Sequence, residues 1–297
     1  MAHEPVIETH GLTKHYGKLE AVRELSLTVE RQRITGFLGR NGAGKSTTLK
    51  MLLGMIRPTA GTGRVVGYDV ADPAQSVAIR RRIAYVGEDK GLYGYMTVGE
   101  LIRFTRSFYP DWRPAIEARL LKEYQLPPGR KVKAISKGMR TKLALLLALA
   151  RQPELIVLDE PSEGLDPVSI EELLQTLREV RDAGTSVFFS SHQLSEVEQV
   201  AERVLMIDRG QLVMDTLLSD IRKHYRHVTM DFADDAPPPA FELAGVVRTR
   251  IVGRQVRLLV SAHVEDIVAY AQSLGAPVQV APVHLRDVFL DLVKEAS

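Results

Sequence analysis

Residues 39–47 read Gly39-Arg40-Asn41-Gly42-Ala43-Gly44-Lys45-Ser46-Thr47, which fits the pattern G-x-x-x-x-G-K-[ST]. Glycines at these spacings let a loop curl round phosphates, and its backbone N–H groups then face the anion. Lys45 would reach the β- and γ-phosphates of a nucleotide, and the Ser46 hydroxyl would ligate Mg²⁺. A chance glycine turn is the alternative. A second acidic pair stands downstream, in Leu155-Ile156-Val157-Leu158-Asp159-Glu160. An apolar strand ending in Asp159 presents a carboxylate to Mg²⁺, and Glu160 is then placed to orient or polarise an attacking water. A buried strand followed by an acidic helix cap is the plainer reading of that segment, but it leaves the upstream phosphate loop unexplained.

The flanking residues supply the elements that would hold these groups. Ile34 to Leu38 has the composition of a short buried strand entering the phosphate loop, and Ser46 to Leu53 that of the helix leaving it. Val6–Thr9 and Leu25–Val29 alternate as half-buried strands do, with His15-Tyr16-Gly17-Lys18 read as a turn between them. Thr59 to Gly63 reads as a loop, and Gly63 to Val70 as strand and turn. Ile83–Val86 is a further buried strand. Residues 98–126 carry helical periodicity broken near Pro110 and Pro114, and Lys137–Arg151 is a helix. Ser169–Ala183 is an amphipathic helix, and Ser186–Phe189 the next strand. Alternating strands and helices predict an α/β core with much parallel sheet.

Composition shifts near residue 216, so the expected boundaries are 1–215 and 216–297. The second part reads as a small α+β domain. It holds a loop at Asp234–Pro239 and a hairpin of Val246–Ile251 with Gln255–Val260. A helix at Val264–Leu274 and a strand at Val278–Val280 follow. A last helix puts Leu285, Val288, Phe289, Leu292 and Val293 on one face.

Whole-chain properties exclude several classes. The 297 residues suit one large domain and one smaller one. A net charge of +2 gives no electrostatic footprint for nucleic acid, and none is expected as a partner. Cysteine is absent, which excludes disulfides and thiolate metal sites and fits a reducing compartment. Met1 to Pro5 shows no signal-peptide pattern. The longest apolar run, Leu143 to Ala150, falls far short of the ~20 residues that span a bilayer. Any membrane role therefore calls for a separate spanning partner.

Between the two nucleotide motifs lies Ile135-Ser136-Lys137-Gly138-Met139. The order of phosphate loop, serine-glycine segment and Asp-Glu strand resembles an ATP-binding-cassette (ABC) ATPase. In that family the segment reads Leu-Ser-Gly-Gly-Gln, heads a helix, and binds the γ-phosphate held by the opposite subunit. Ser136 and Gly138 match it; Ile135, Lys137 and Met139 depart from it. Read alone, the segment is a helix N-cap. The resemblance implies a P-loop α/β domain over residues 4–215, with a helical subdomain at about 89–152. It also implies adenine stacking on Tyr16, a γ-phosphate contact by His192, and a partner-crossing loop Ser162-Glu163-Gly164-Leu165-Asp166. Ordinary structural roles are the alternatives for Tyr16 and His192. Glu88 aligns with the family's Mg²⁺-touching glutamine, and Gly91–Val98 with its partner-facing segment.

The segment Val283–Leu290, Glu88 and the altered signature are similar to the branch serving ABC-2 type exporters. The C-terminal domain is similar to an extension of that branch. The implied activity is ATP hydrolysis by a cassette dimer closed on two ATP·Mg. Phosphate-loop residues Gly39 to Thr47 of one copy would face Ser136, Gly138 and Asp166 of the other. Ser46, Asp159 and Glu88 would hold the metal. The dimer would drive a separate transmembrane permease from the cytoplasmic face of the plasma membrane. Two other classes stay open: a soluble cassette ATPase acting on ribosomes or DNA, and a regulatory protein whose C-terminal domain binds a partner.

Overall fold

The computed structural model describes residues 4–232 and 243–293. The chain divides into two compact units, Met1–Asp215 and Thr216–Ser297.

The first unit opens with β1 (Ile7–Tyr16) and β2 (Leu19–Val29), an antiparallel pair. His15 and Tyr16 belong to β1, so the turn expected at His15–Lys18 shrinks to Gly17-Lys18. Cross-strand pairing of His15 with Glu20 and of Tyr16 with Leu19 draws both residues into the ladder. β3 (Ile34–Leu38) is buried along its whole length and runs through the phosphate loop into α1 (Lys45–Leu52). β4 (Ala60–Val65) replaces most of the loop expected at Thr59–Gly63. Its small residues pair antiparallel with β1, as in Thr62 opposite His10 and Gly63 opposite Thr9, so backbone bonds override weak strand propensity. β5 (Tyr68–Asp69) completes a four-stranded sheet of order β2-β1-β4-β5.

α2 (Pro73–Arg82) gave no periodic signal, and Ile79 is its one buried residue. An Asp72 side-chain cap and Pro73 at the helix start define it instead. β6 (Ile83–Val86) precedes three helices, α3 (Val98–Arg106), α4 (Pro114–Glu123) and α5 (Lys137–Leu149). Thr97 and Glu100 form a capping box that starts α3. The apolar run Leu143–Ala150 is buried.

β7 (Leu155–Asp159), α6 (Pro167–Asp182), β8 (Ser186–Ser191), α7 (Leu194–Val200), β9 (Arg203–Asp208) and β10 (Gln211–Leu217) follow. With β3 and β6, the four strands build a six-stranded sheet of order β10-β9-β3-β8-β7-β6. The pairs β9-β3, β3-β8, β8-β7 and β7-β6 are parallel. β3, β7 and β8 are continuously buried, as expected of parallel strands covered on both faces. Phe37 and Phe188 pack between neighbouring strands at 5.3 Å between ring centres. This register brings the carboxyl ends of three adjacent strands together: Leu38 lies opposite Ser191, and Asp159 opposite Ser190.

The second unit contains α8 (Leu218–His224), β11 (Arg226–Asp231), β12 (Val246–Val252), β13 (Gln255–Val260), α9 (Val264–Ser273), β14 (Val278–Pro282) and α10 (Leu285–Val293). Its antiparallel sheet has the order β12-β13-β11-β14. Val228, Met230, Val256, Leu258 and Val260 form the core with Ile267 and Ala271 of α9. On α10, Leu285, Val288 and Val293 are buried, and Phe289 and Leu292 half-buried. The loop expected at Asp234–Pro239 lies outside the described residues. α7, α8, β9, β10 and β11 had no sequence-based assignment. Among the described residues no helix is long and apolar enough to cross a membrane.

Candidate nucleotide site

At the start of α1, Gly44 adopts φ +110°, and a Cβ there would come within 2.5 Å of the Ala21 carbonyl. Only glycine suits that position. No side chain caps α1, and its first turn carries no acidic residue. Its leading N–H groups and positive helix end therefore remain available to an anion. The loop is braced from behind: the Gly210 N–H donates to the Ala43 carbonyl at 2.9 Å, and the Ala43 N–H to the Arg40 carbonyl at 3.1 Å.

The loop borders a cleft of about 750 Å³. Tyr16, Asn41, Gly42, Gly44, Lys45, Ser46, Thr47, Glu88, Glu160 and His192 all line it. Ten of the expected site residues thus converge from β1, the phosphate loop and the ends of β6, β7 and β8. Gly39 and Ala43 are buried and do not line the cleft, so any part they take is through the loop backbone. Tyr16 is half-exposed, with the Lys14 ammonium 5.3 Å from its ring centre.

Lys45 is buried, and its ammonium donates to the Gly39 carbonyl at 2.8 Å. It also stands 3.1 Å from Glu160 Oε1, close enough to pair charges but not aligned for a hydrogen bond. Glu160 holds a left-handed backbone at φ +45°, a strained conformation for a side chain of this kind. Its Oε2 accepts from the His192 backbone N–H at 3.2 Å and lies 2.8 Å from His192 Nδ1. A carboxylate on Nδ1 fixes the proton there, and Nε2 stands 3.9 Å from Glu163 Oε2. Behind this row, Asp159 is buried at the end of β7 and accepts from Ser190 Oγ at 2.6 Å. Ser190 Oγ in turn accepts from the Glu160 N–H at 3.0 Å.

The oxygen donors suit a small hard cation. Ser46 and Glu88 line the cleft, and the fixed Asp159 carboxylate lies just behind it. Among the described residues no group of three or more His, Cys, Asp or Glu could hold a metal alone. That fits an ion such as Mg²⁺, which takes one or two protein oxygens and completes its shell with phosphates and water.

Ser136, Gly138 and Asp166 do not line this cleft; they gather at the starts of α5 and α6. Ser136 Oγ accepts from the Met139 N–H at 3.1 Å, so it is the N-cap of α5. Asp166 caps α6 through the Val168 and Ser169 N–H groups and accepts from Ser169 Oγ at 2.7 Å. Those bonds, led by Ser169, hold its carboxyl below the usual range. Gly138 sits beside Ser169 Oγ, and the Lys137 ammonium lies over Gly164.

Several neighbours escaped sequence reading. Arg23, Arg40, Glu163 and Arg209 line the cleft. Arg40 was visible as a charged residue inside the loop, and Glu163 within the expected partner-crossing loop; Arg23 and Arg209 carry no local signature. The Lys90 ammonium donates to the Pro161 carbonyl at 3.2 Å. Burial first, then the nearby Lys137 charge, lowers its pKa to about 8.

Comparison with known proteins agrees with this geometry. The family model described as ABC transporter matches residues 22–163. The bacitracin transport ATP-binding protein BcrA of Enterococcus faecalis is 35% identical over 77% of this chain and 75% of its own. The daunorubicin/doxorubicin resistance ATP-binding protein DrrA of Streptomyces peucetius is 38% identical, over 73% of this chain and 66% of its own. A solved structure of an ATP binding subunit of an ABC transporter aligns with a TM-score of 0.66 and 30% identity. It covers 73% of this chain and 92% of that one. The phosphate loop on β3, the Asp-Glu end of β7 and these matches together make the chain a member of the ABC transporter family: it is an ATP-binding subunit with ATPase activity.

Proposed function

We propose that two copies of this chain close on two ATP·Mg, hydrolyse them, and thereby drive export through a separate transmembrane subunit. The observation that carries this reading is the row Lys45, Glu160 and His192 at one wall of the cleft. Lys45 and the α1 N-terminus neutralise the phosphates. Glu160 accepts a hydrogen bond from the attacking water and orients it, and His192 holds the Glu160 carboxylate in place. Ser46, Asp159 and Glu88 would hold Mg²⁺, which would supply charge neutralisation at the transferring phosphoryl group. Positioning and electrostatics dominate this kind of chemistry.

Ser136, Gly138 and Asp166 lie outside the chain's own cleft, which supports their use by a second copy. A second surface supports the membrane partner. Tyr93, Tyr95, Phe104 and Phe108 form a chain of ring contacts at 5.8, 5.7 and 5.1 Å while remaining 39–68% exposed. Contiguous exposed aromatics mark a docking site, here for a helix of the transmembrane subunit on the cytoplasmic face. The relatives named for bacitracin transport and for drug resistance support the outward direction.

The test is affinity capture of the Glu160→Gln chain from detergent-solubilised native membranes with ATP. Recovery of a polytopic membrane protein in near-equal amount, lost when Tyr95 and Phe108 are both replaced by serine, is the expected result. Recovery of ribosomes, DNA or soluble proteins alone would overturn it.

A further inference from the structure

Ser162 and Ser191 stand on different loops. Ser162 lies two residues beyond Glu160, and Ser191 closes β8 just before His192. Their hydroxyls converge on one carboxylate oxygen: Glu196 Oε2 accepts from Ser162 Oγ at 2.6 Å and from Ser191 Oγ at 3.3 Å. Glu196 lies on α7 and is 3% exposed. Its other oxygen, Oε1, is buried without a hydrogen-bond partner. Burial chiefly, and the Glu160 charge to a smaller extent, raise its pKa above the ordinary carboxyl value, against the two serine bonds.

A buried carboxyl with an unmet oxygen is costly, and an apolar residue would pack α7 more cheaply. The contacts explain what it does instead. Ser191 Oγ also accepts from the Gln193 N–H at 2.9 Å, so it pins the backbone on both sides of His192. On the cleft side, the His192 N–H donates to Glu160. The histidine loop therefore has an outer anchor on Glu160 and an inner anchor on Glu196. The inner anchor also holds Ser162, in the loop that continues from Glu160.

We propose that Glu196 is a positioning residue that ties the Glu160 loop to the His192 loop, keeping the Glu160–His192 contact aligned for hydrolysis. This rests on the roles given above to Glu160 and His192. Glu196 does not line the cleft; it acts through Ser162 and Ser191.

The test measures kcat and KM for ATP with the purified full-length chain. Glu196→Ala is expected to lower kcat about tenfold and leave KM within about twofold, as loss of a transition-state contact does. Glu196→Gln keeps an acceptor oxygen in place and should restore kcat to within about threefold of wild type. Ser162→Ala should lower kcat about threefold at constant KM, and add little in the Glu196→Ala background, because the contact is already gone. Where Glu196→Ala fails to fold, Ser162→Ala alone still tests the tie: unchanged kcat there would overturn it. Equal losses in the Gln and Ala variants, additive losses with Ser162→Ala, or a change confined to KM would overturn the proposal. Glu160→Gln, run in parallel, separates two failures. Normal turnover there defeats the role of Glu160 itself. Abolished turnover there with full activity in Glu196→Ala defeats the Glu196 role alone.

Discussion

The nucleotide cleft and the C-terminal unit bury charge in opposite ways. In and behind the cleft, Lys45, Asp159, Glu160 and Glu196 are all buried, and one oxygen each of Glu160 and Glu196 lacks a hydrogen bond. Glu160 also sits in a left-handed backbone. In the second unit, His227 of β11 and Asp291 of α10 form a nearly buried pair at 2.6 Å. One region keeps unmet polar groups, at Glu160 on the cleft wall and at Glu196 behind it. The other pairs His227 with Asp291 and so holds a helix to a sheet. Rule-breaking of the first kind marks where function was selected over stability.

This contrast is open to attack from both sides, and the largest effect belongs to the cleft. Glu160→Gln should cut ATP turnover by roughly a thousandfold while retaining nucleotide binding, measured by phosphate release and by fluorescent-ATP titration. Lys45→Ala should instead weaken ATP binding, by roughly a hundredfold in the same titration, since it removes a buried charge from the phosphates. In the C-terminal unit the sign of the trade reverses. Asp291→Ala should destabilise that unit by about 2 kcal/mol in denaturant unfolding, because a nearly buried imidazole loses its partner. Turnover of the cleft should stay within about twofold of wild type. A loss of turnover without loss of stability there would erase the distinction between the regions.

The smallest effect is a pH dependence. Glu196 has its folded pKa raised above the ordinary 4.5, mainly by burial. The folded chain therefore holds this proton at pH values where the unfolded chain has released it. Its contribution to stability is full below pH 4.5 and declines as pH rises through the folded value. Thermal unfolding across this range should show wild type losing stability relative to Glu196→Gln as pH rises from 4.5. Parallel profiles would contradict the shift.

Local signals carried much of the chain. β3 and β6 fall where their apolar runs end, and the phosphate loop and Asp159-Glu160 were readable because glycine spacing and strand-end acids are local patterns. α2 was not, because its sequence is polar and its definition comes from the Asp72 cap. The first half of β4 was hidden because Gly61 and Gly63 weaken strand propensity, and pairing with β1 extends the strand back to Ala60. In the site, Tyr16 and His192 could be placed by family order alone. Glu196 could not: its meaning depends on Ser162 and Ser191, which lie 34 and 5 residues away in sequence. Convergence of that kind exists only after folding.

The central claim is that each cleft is half of a site completed by a second copy. Sedimentation equilibrium of the Glu160→Gln chain with and without ATP and Mg²⁺ tests it most directly. Adding ATP should shift the particle to twice the chain mass, an effect abolished by Lys45→Ala and by Ser136→Arg. Saturated ATP binding by a particle that stays at the mass of a single chain would contradict it.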